Sequence, residues 1–421
     1  MQLKNKIAKN KSLIESLFSL SILNGMNVIL PLVTLPYILR VIGASHYGSY
    51  SYVYILIQYL VLITTYGFNY SATKQISQNR HSIEKINTIY NSVTICRLLL
   101  LAVSILIFML LSPLLLNNHT ERLLFIMGMG VVIGDIFNPV WLFQGMEKMR
   151  YMTIVNIVSK SIFTILIFIF IRQPSDYIYI ILFNSCGFLL SGLISSFIAK
   201  KQFKIIYKTP KYADIKFQYK EGWELFVSSI GINLYANINI FILKFFVNDA
   251  ILGIYSAAEK IIKGLKLLGS TISQSLFPHL GYSFKNQTIK QSLRQLKRTA
   301  IPFALLLSLF SILTFAFSDA LITLFGGKEY IDGAILIRIM SATILLGGLN
   351  SLLGFSGLVN LNYQRNFLIG VVLTGIICIV FLLSFLPIGG VEVAAWTSVL
   401  SETILFSIII ISFHKINKKN T

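Results

Sequence analysis

One glutamate and three lysines, Glu259, Lys260, Lys263 and Lys266, fall within eight residues of a stretch otherwise apolar enough to lie in a bilayer. At about 100° per residue, Tyr255, Ser256, Glu259, Lys260, Lys263, Lys266, Ser270, Ser273 and Gln274 share an arc of roughly 140°. Ile261, Leu265 and Leu268 take the opposite face. A lipid-facing cation at that depth costs several kcal/mol, so such a stripe faces a partner or a water-filled space. It predicts a hydrated cationic lining suited to an anionic, polar ligand. A Glu259–Lys263 pair at i and i+4 neutralises only one of the three lysines. Glu259, surrounded by cations, is the first candidate to carry a proton or Na⁺, and Asp135 is the second.

Further polar residues line up in other apolar stretches. Tyr47, Ser51, Tyr54, Gln58, Thr65 and Asn69 lie within about 60° of one another on a helix, and can meet sugars or join helices by hydrogen bonds. Asn233, Asn237 and Lys244 align, as do Asn156 and Lys160, and Asn24 and Asn27 sit ahead of Pro31. Lys160, Lys244 and Arg338 each read as a lone intramembrane cation, open to snorkelling or pairing as well as to ligand contact. Glu224, Asp319, Glu392 and Glu402 also lie in or near apolar stretches.

The elements that must position these residues are membrane helices. With 55% hydrophobic and 12% charged residues and a mean hydropathy of +0.74, the 421-residue chain has lipid as its solvent. The runs are continuous rather than alternating, so the expected fold is all-α and a barrel is excluded. Twelve segments meet the length of about 20 residues that a crossing needs. They run over 13–39, 47–70, 89–116, 122–143, 151–171, 177–198, 223–247, 250–280, 300–325, 331–357, 367–386 and 390–413. Cys96, Cys186 and Cys378 fall inside them and are expected to be buried packing residues. The basic start MQLKNKIAKNK precedes a run too long for a signal peptide and reads as a retained first helix.

The net charge of +20 is a topology signal. Gaps on one side hold 25 Lys or Arg, and the opposite gaps hold only Arg40, Arg122, Arg172 and Lys328. Basic loops stay in the cytoplasm, so both termini are expected there, and nucleic acid is not the partner. The polar run Lys200–Gly222 carries seven of these lysines. It divides the chain into an N-terminal six-helix lobe (1–199), a cytoplasmic linker (200–222) and a C-terminal six-helix lobe (223–421). The halves echo one another: LPYILRVIGASHYGSYSY around Gly48 matches INIFILKFFVNDAILGIYSA around Gly253, each opening a helix with G-x-Y-S. Parallel repeats of this kind predict two bundles that rock about a central cavity.

Phosphate loops, HExxH metal sites and G-x-S-x-G elbows are absent from the sequence, so neither a cofactor nor an enzymatic activity is expected. Four blocks then carry a resemblance: ILPLVTLPYILRVIGASHYGSYSY, TTYGFNYSATKQISQNR, FNPVWLFQGMEKMRYMTIVNIVSK and ILGIYSAAEKIIKGLKLLGSTISQSLFPHLG. Together they resemble the O-antigen flippases, also called Wzx, of the polysaccharide-transport branch of the MATE-like (MOP) exporter superfamily. The resemblance covers the first three hundred residues and extends further by helix count. It implies the MATE-like exporter fold, the inner membrane of a Gram-negative cell, and a membrane-lipid-borne substrate, an undecaprenyl-diphosphate-linked oligosaccharide. A proton or sodium counter-ion would drive transport, and a polysaccharide polymerase is a partner the resemblance allows. Matching positions are Arg40 in PYILRVIG and Glu259, Lys260 and Lys263 in SAAEKIIKG.

Three alternatives differ in readable ways. A multidrug exporter of the same superfamily would favour an acidic cavity for organic cations. A lipid II flippase is expected to carry two further helices. A membrane O-antigen polymerase, from another class, is expected to have a large periplasmic loop where every external gap here is short. The topology is testable directly: fusions at Lys211 and Asn420 should be active with a cytoplasmic reporter and silent with a periplasmic phosphatase. The reverse pattern at either position would overturn the orientation.

Overall fold

The computed structural model describes residues 30–227, 229–231, 233, 237–277, 280–285 and 287–418. The helices are α1 (Gln2–Thr65), α2 (Phe68–Gln78), α3 (Ile83–Leu115), α4 (His119–Ile136), α5 (Val140–Gly145), α6 (Met149–Phe170), α7 (Tyr177–Phe203), α8 (Tyr212–Leu243), α9 (Asp249–Lys285), α10 (Ile289–Ala316), α11 (Ser318–Gly326), α12 (Gly333–Asn350) and α13 (Gln364–Lys419). A π-helical segment, Ser351–Val359, continues α12. Asn24 and Asn27 lie outside the described residues.

Eight helical stretches among the described residues are long and apolar enough to cross a membrane. Two of them, Leu30–Gln78 and Gln364–Lys418, are 49 and 55 residues long, about twice the length of one crossing. Each bends at a glycine with positive φ, 73° at Gly43 and 59° at Gly390. With Gln364–Lys418 counted double and α8 and α9 added, the described helices account for eleven of the twelve expected segments, and the first, 13–39, lies mostly outside the described residues. α9 stands outside the eight because Glu259, Lys260, Lys263 and Lys266 crowd its centre.

The second half of the 200–222 linker is the start of α8. Asp214 accepts from the Lys211 N–H at 3.3 Å at the helix start, and the periodic Gln218, Tyr219 and Phe226 give it a face to bury. Gln218 and Gln75 exchange amide hydrogen bonds at 3.0 and 2.9 Å, and the Tyr219 hydroxyl donates to the Cys96 carbonyl at 3.0 Å. The extended first half is held by α3: Ile206 N–H donates to Asn87 Oδ1 at 2.6 Å, and Asn91 Nδ2 donates to the Ile206 carbonyl at 2.9 Å. Amide side chains thus complete a backbone that pairs with no strand. Cys96 and Cys378 are buried as expected, but Cys186 is exposed. Its neighbour Ser185 takes the inward position on α7, donating to the Met127 carbonyl at 2.6 Å.

The chain forms two compact units. One comprises Met1–Thr34 and Tyr50–Ile230, the other Leu35–Ser49 and Gly231–Thr421. In the first, Trp141, Phe143, Phe68 and Tyr90 are buried in a cluster that joins α2, α3 and α5. In the second, Leu35–Ser49 packs where the repeated motif meets itself. A Cβ on Gly48 would lie 1.9 Å from the Asp249 carbonyl oxygen, and a Cβ on Gly253 1.9 Å from the Ala44 carbonyl oxygen. Each glycine thus lies against the residue four positions before the other, so the contact is reciprocal. Ser49 Oγ donates to Asp249 Oδ2 at 2.8 Å beside it. Just before the crossing, the Gly43 bend frees the Ala44 N–H, which donates to Glu329 Oε1 at 2.7 Å. An anion there also complements the dipole of the new helix start. Burial, with Tyr47 and Glu329 close by, holds the adjacent Tyr330 phenol above its usual range.

No side-chain rearrangement can relieve a clash with backbone, so Gly48→Ala and Gly253→Ala should each cost about 3 kcal/mol, the upper end for overpacking. Thermal unfolding in detergent reads this. Wild-type stability in both variants would mean that the helices do not cross so closely.

Candidate functional site

The polar face of α9 meets polar residues of α8, α12 and α13 within the second unit. A cavity of about 100 Å³ is lined by Asn239, Glu259, Lys263, Lys266, Ser398 and Glu402 among others. Lys263 Nζ donates to Glu259 Oε2 at 3.0 Å and to Asn237 Oδ1 at 3.1 Å. Asn237 in turn lies 3.5 Å from Asn233 Oδ1. Lys266 pairs with Glu402, whose other oxygen accepts from Asn350 Nδ2 at 2.7 Å. Gly347 leaves room for the Lys266 stem, because a Cβ there would lie 2.6 Å from Lys266 Cε. Asn239 Nδ2 donates to the Tyr255 hydroxyl at 2.9 Å and to Ser398 Oγ at 3.1 Å. Asn350 Oδ1 is buried with no hydrogen-bond partner.

The stripe is therefore real, and it is already partnered. Glu259 and Glu402 are buried, while Lys263 is the exposed member. A cavity of this size holds about three waters at roughly 30 Å³ each, so this conformation has room for water or a small cation beside the lysines and not for a sugar chain.

The other expected site residues lie elsewhere. Lys260 sits 6.0 Å from the Tyr47 ring centre, within reach of a cation–π contact. Arg40 Nη2 donates to the Leu324 carbonyl at 2.6 Å. Lys244 and Arg338, lone cations in the sequence, both have acidic partners. Lys244 pairs with Asp249 at 2.6 Å across the α8–α9 turn, and Arg338 pairs with Asp319 at the start of α11. Arg338 lines a separate cavity of about 540 Å³ with Asp319, Asp332 and Glu392. In the first unit, Lys160 lines a small recess with Asn156, Ser159 and Asn184. Tyr54 stacks on Tyr50 at 5.8 Å, and Gln58 is half-buried. Asp135 pairs with the buried Arg97, which also donates to the Thr64 carbonyl at 3.2 Å.

A family model described as "Polysaccharide biosynthesis protein" matches residues 13–284, well over half of the chain. The chain belongs to that family. Two relatives bear the description "Putative O-antigen transporter". The one from Escherichia coli (strain K12) is 25% identical over 97% of this chain and 98% of its own length. The one from Shigella dysenteriae is 27% identical over 75% and 78%. Among solved structures, the lipid II flippase MurJ in an inward closed conformation matches with a TM-score of 0.75 at 14% identity, over 93% of this chain and 86% of that one. A multidrug resistance MATE family transporter of the MOP superfamily, inward-facing, matches with a TM-score of 0.69 at 12% identity, over 94% and 100%. The fold is that of the MATE-like exporters, and the protein is an integral membrane protein.

Asn350 and Asp249 were missed by sequence reasoning, and Glu402 was noticed without a role. A buried carboxylate left without its cation is costly, so Lys266→Met should destabilise the protein by about 3 kcal/mol, the low end for a broken buried pair. Adding Glu402→Gln should recover most of that loss. A thermal-unfolding double-mutant cycle checks the coupling, and strictly additive effects would show that the two side chains do not pair.

Proposed function

We propose that this protein is a flippase that moves undecaprenyl-diphosphate-linked O-antigen, or a related polysaccharide repeat unit, across the bacterial inner membrane by ion-coupled alternating access. Residues 1–199 and 223–421 would act as the two rocking lobes and 200–222 as their basic cytoplasmic link, with both termini cytoplasmic. The observation that carries the proposal is the pairing of Lys263 and Lys266 with Glu259 and Glu402 beside a polar cavity. An anionic diphosphate at these lysines would compete with their carboxylates. A cation bound to the carboxylates, whether proton or Na⁺, would free the lysines at the same moment.

The transporter descriptions of the two relatives support the same substrate class. The fold supports movement across the membrane rather than chemistry on the substrate. Arg40, Lys160, Lys244, Lys260 and Arg338, with Tyr54, Gln58, Asn233 and Asn237, are proposed to supply weaker contacts as the head group passes. Glu259 is the proposed coupling carboxylate, with Asp135 second. Glu402 joins them on the strength of its burial and of the open acceptor on Asn350.

In a deletion strain, lipid-linked single repeat units should accumulate facing the cytoplasm. Surface-exposed single units would instead indicate a lost polymerase. In proteoliposomes, Lys263→Ala and Lys266→Ala should each slow flipping on the order of tenfold, the loss of one charged hydrogen bond, with partial rescue by Arg. Glu259→Gln should retain substrate binding and lose the dependence on an imposed pH or Na⁺ gradient. Unchanged gradient dependence in both Glu259→Gln and Glu402→Gln would sink the coupling scheme.

A further inference from the structure

A groove of about 750 Å³ runs between α10, the junction of α12 with the π segment, and the last turns of α13. Leu296, Ala300, Ala304, Leu349, Leu353 and Phe406 form much of its apolar wall, and Arg294, Lys297 and His414 gather at one end. These three are exposed, and among the described residues none forms an ion pair. The groove thus has an apolar body and a cationic mouth. The mouth lies on the helix ends that the excess of basic residues assigns to the cytoplasm, where basic pockets between membrane helices take anionic lipid head groups.

We propose that this groove binds an anionic diacyl phospholipid of the cytoplasmic leaflet. Its phosphate rests on Arg294 and Lys297 with His414 alongside, and an acyl chain lies along Ala300, Ala304, Leu349 and Leu353. Two features favour a phospholipid over the lipid-linked oligosaccharide. Among the described lining residues, Asn417 and His414 are the only uncharged polar side chains, too little to solvate a glycan. Ile301 and Ile410 on its edge are 52% and 44% exposed, so a lipid can enter sideways from the leaflet.

The groove backs directly onto the polar cluster. Leu349 flanks Asn350, whose amide holds Glu402, and Phe406 follows Glu402 by one helical turn on α13. A chain seated in the groove bears on the same segments that hold the Lys266–Glu402 pair.

Native mass spectrometry of the full-length protein, released from micelles containing equal phosphatidylglycerol and phosphatidylcholine, tests the proposal without any transport readout. Phosphatidylglycerol should be retained preferentially. The double variant Arg294→Ala/Lys297→Ala should weaken that retention on the order of 30-fold, roughly fivefold per cation. Ala304→Trp should abolish retention with the cations intact. Where that variant fails to fold, Ala300→Trp makes the same test. Millimolar inorganic phosphate should not displace the lipid. Equal retention of the two lipids, indifference to the charge and filling variants, or displacement by phosphate would overturn the proposal. Preferential retention of undecaprenyl diphosphate over phosphatidylglycerol would overturn it in favour of a substrate-loading groove.

Discussion

The crossing of Gly48 and Gly253 is the contact on which the second unit depends. Backbone meets backbone there with no side chain between, which sets the height of α9 against Leu35–Ser49. Asp249 then falls where Ser49 and Lys244 both reach it, and Tyr47 comes beneath Lys260. The turns that follow along α9 carry Glu259, Lys263 and Lys266 to the carboxylate and amides of α13, α12 and α8. Without hydrophobic driving force between helices in lipid, close packing of small residues has to supply such a fixed point. The reciprocity of the contact gives the echoed G-x-Y-S motifs a physical meaning, since the two copies are each other's packing surface.

Electrostatics in this protein follows one rule with consequences for transport. Lys244, Lys263, Lys266, Arg97 and Arg338 each meet a carboxylate. An unpaired charge at bilayer depth is costly, whereas a pair with further hydrogen bonds roughly offsets its own desolvation. An anionic ligand therefore gains little by simply approaching Lys263 or Lys266, since it must compete with an internal anion. On the proposed reading, an added anion is balanced only where Glu259 and Glu402 are neutralised, because both carboxylates stay in the cavity wall.

The helical architecture was legible because lipid imposes it: apolar length and the polar arc on α9 are both local properties of the chain. The Glu259–Lys263 pair was legible for the same reason, as an i,i+4 relation. Glu402 was not, because it meets Lys266 across 136 positions of sequence and only the packing of both α9 and α13 on α12 brings them together. Asn350 likewise reads as an ordinary residue before an apolar run. Asp249 was hidden by being counted in an external turn, where a carboxylate needs no partner. The helical second half of the linker was not legible, because its seven lysines outweigh the inward-facing Gln218 and Tyr219.

The π segment Ser351–Val359 explains how one helix can serve both the polar cluster and the lipid-facing groove. A π turn widens the helix and shifts the side chains beyond it relative to an α register, and such segments cluster at functional sites. Here the shift is held from outside: Ser356 Oγ donates to the Ser273 carbonyl at 2.9 Å, and Asn360 Nδ2 donates to the Phe277 carbonyl at 2.9 Å. Both anchors are on α9, the helix that carries the lysines. Asn350 anchors the other end of the segment to Glu402. The segment is therefore tied to α9 at one end and to the buried carboxylate at the other. Two hydrogen bonds from Ser356 and Asn360 to α9 carbonyls thus favour the π register over an α-helical one, which would shift both side chains relative to their acceptors.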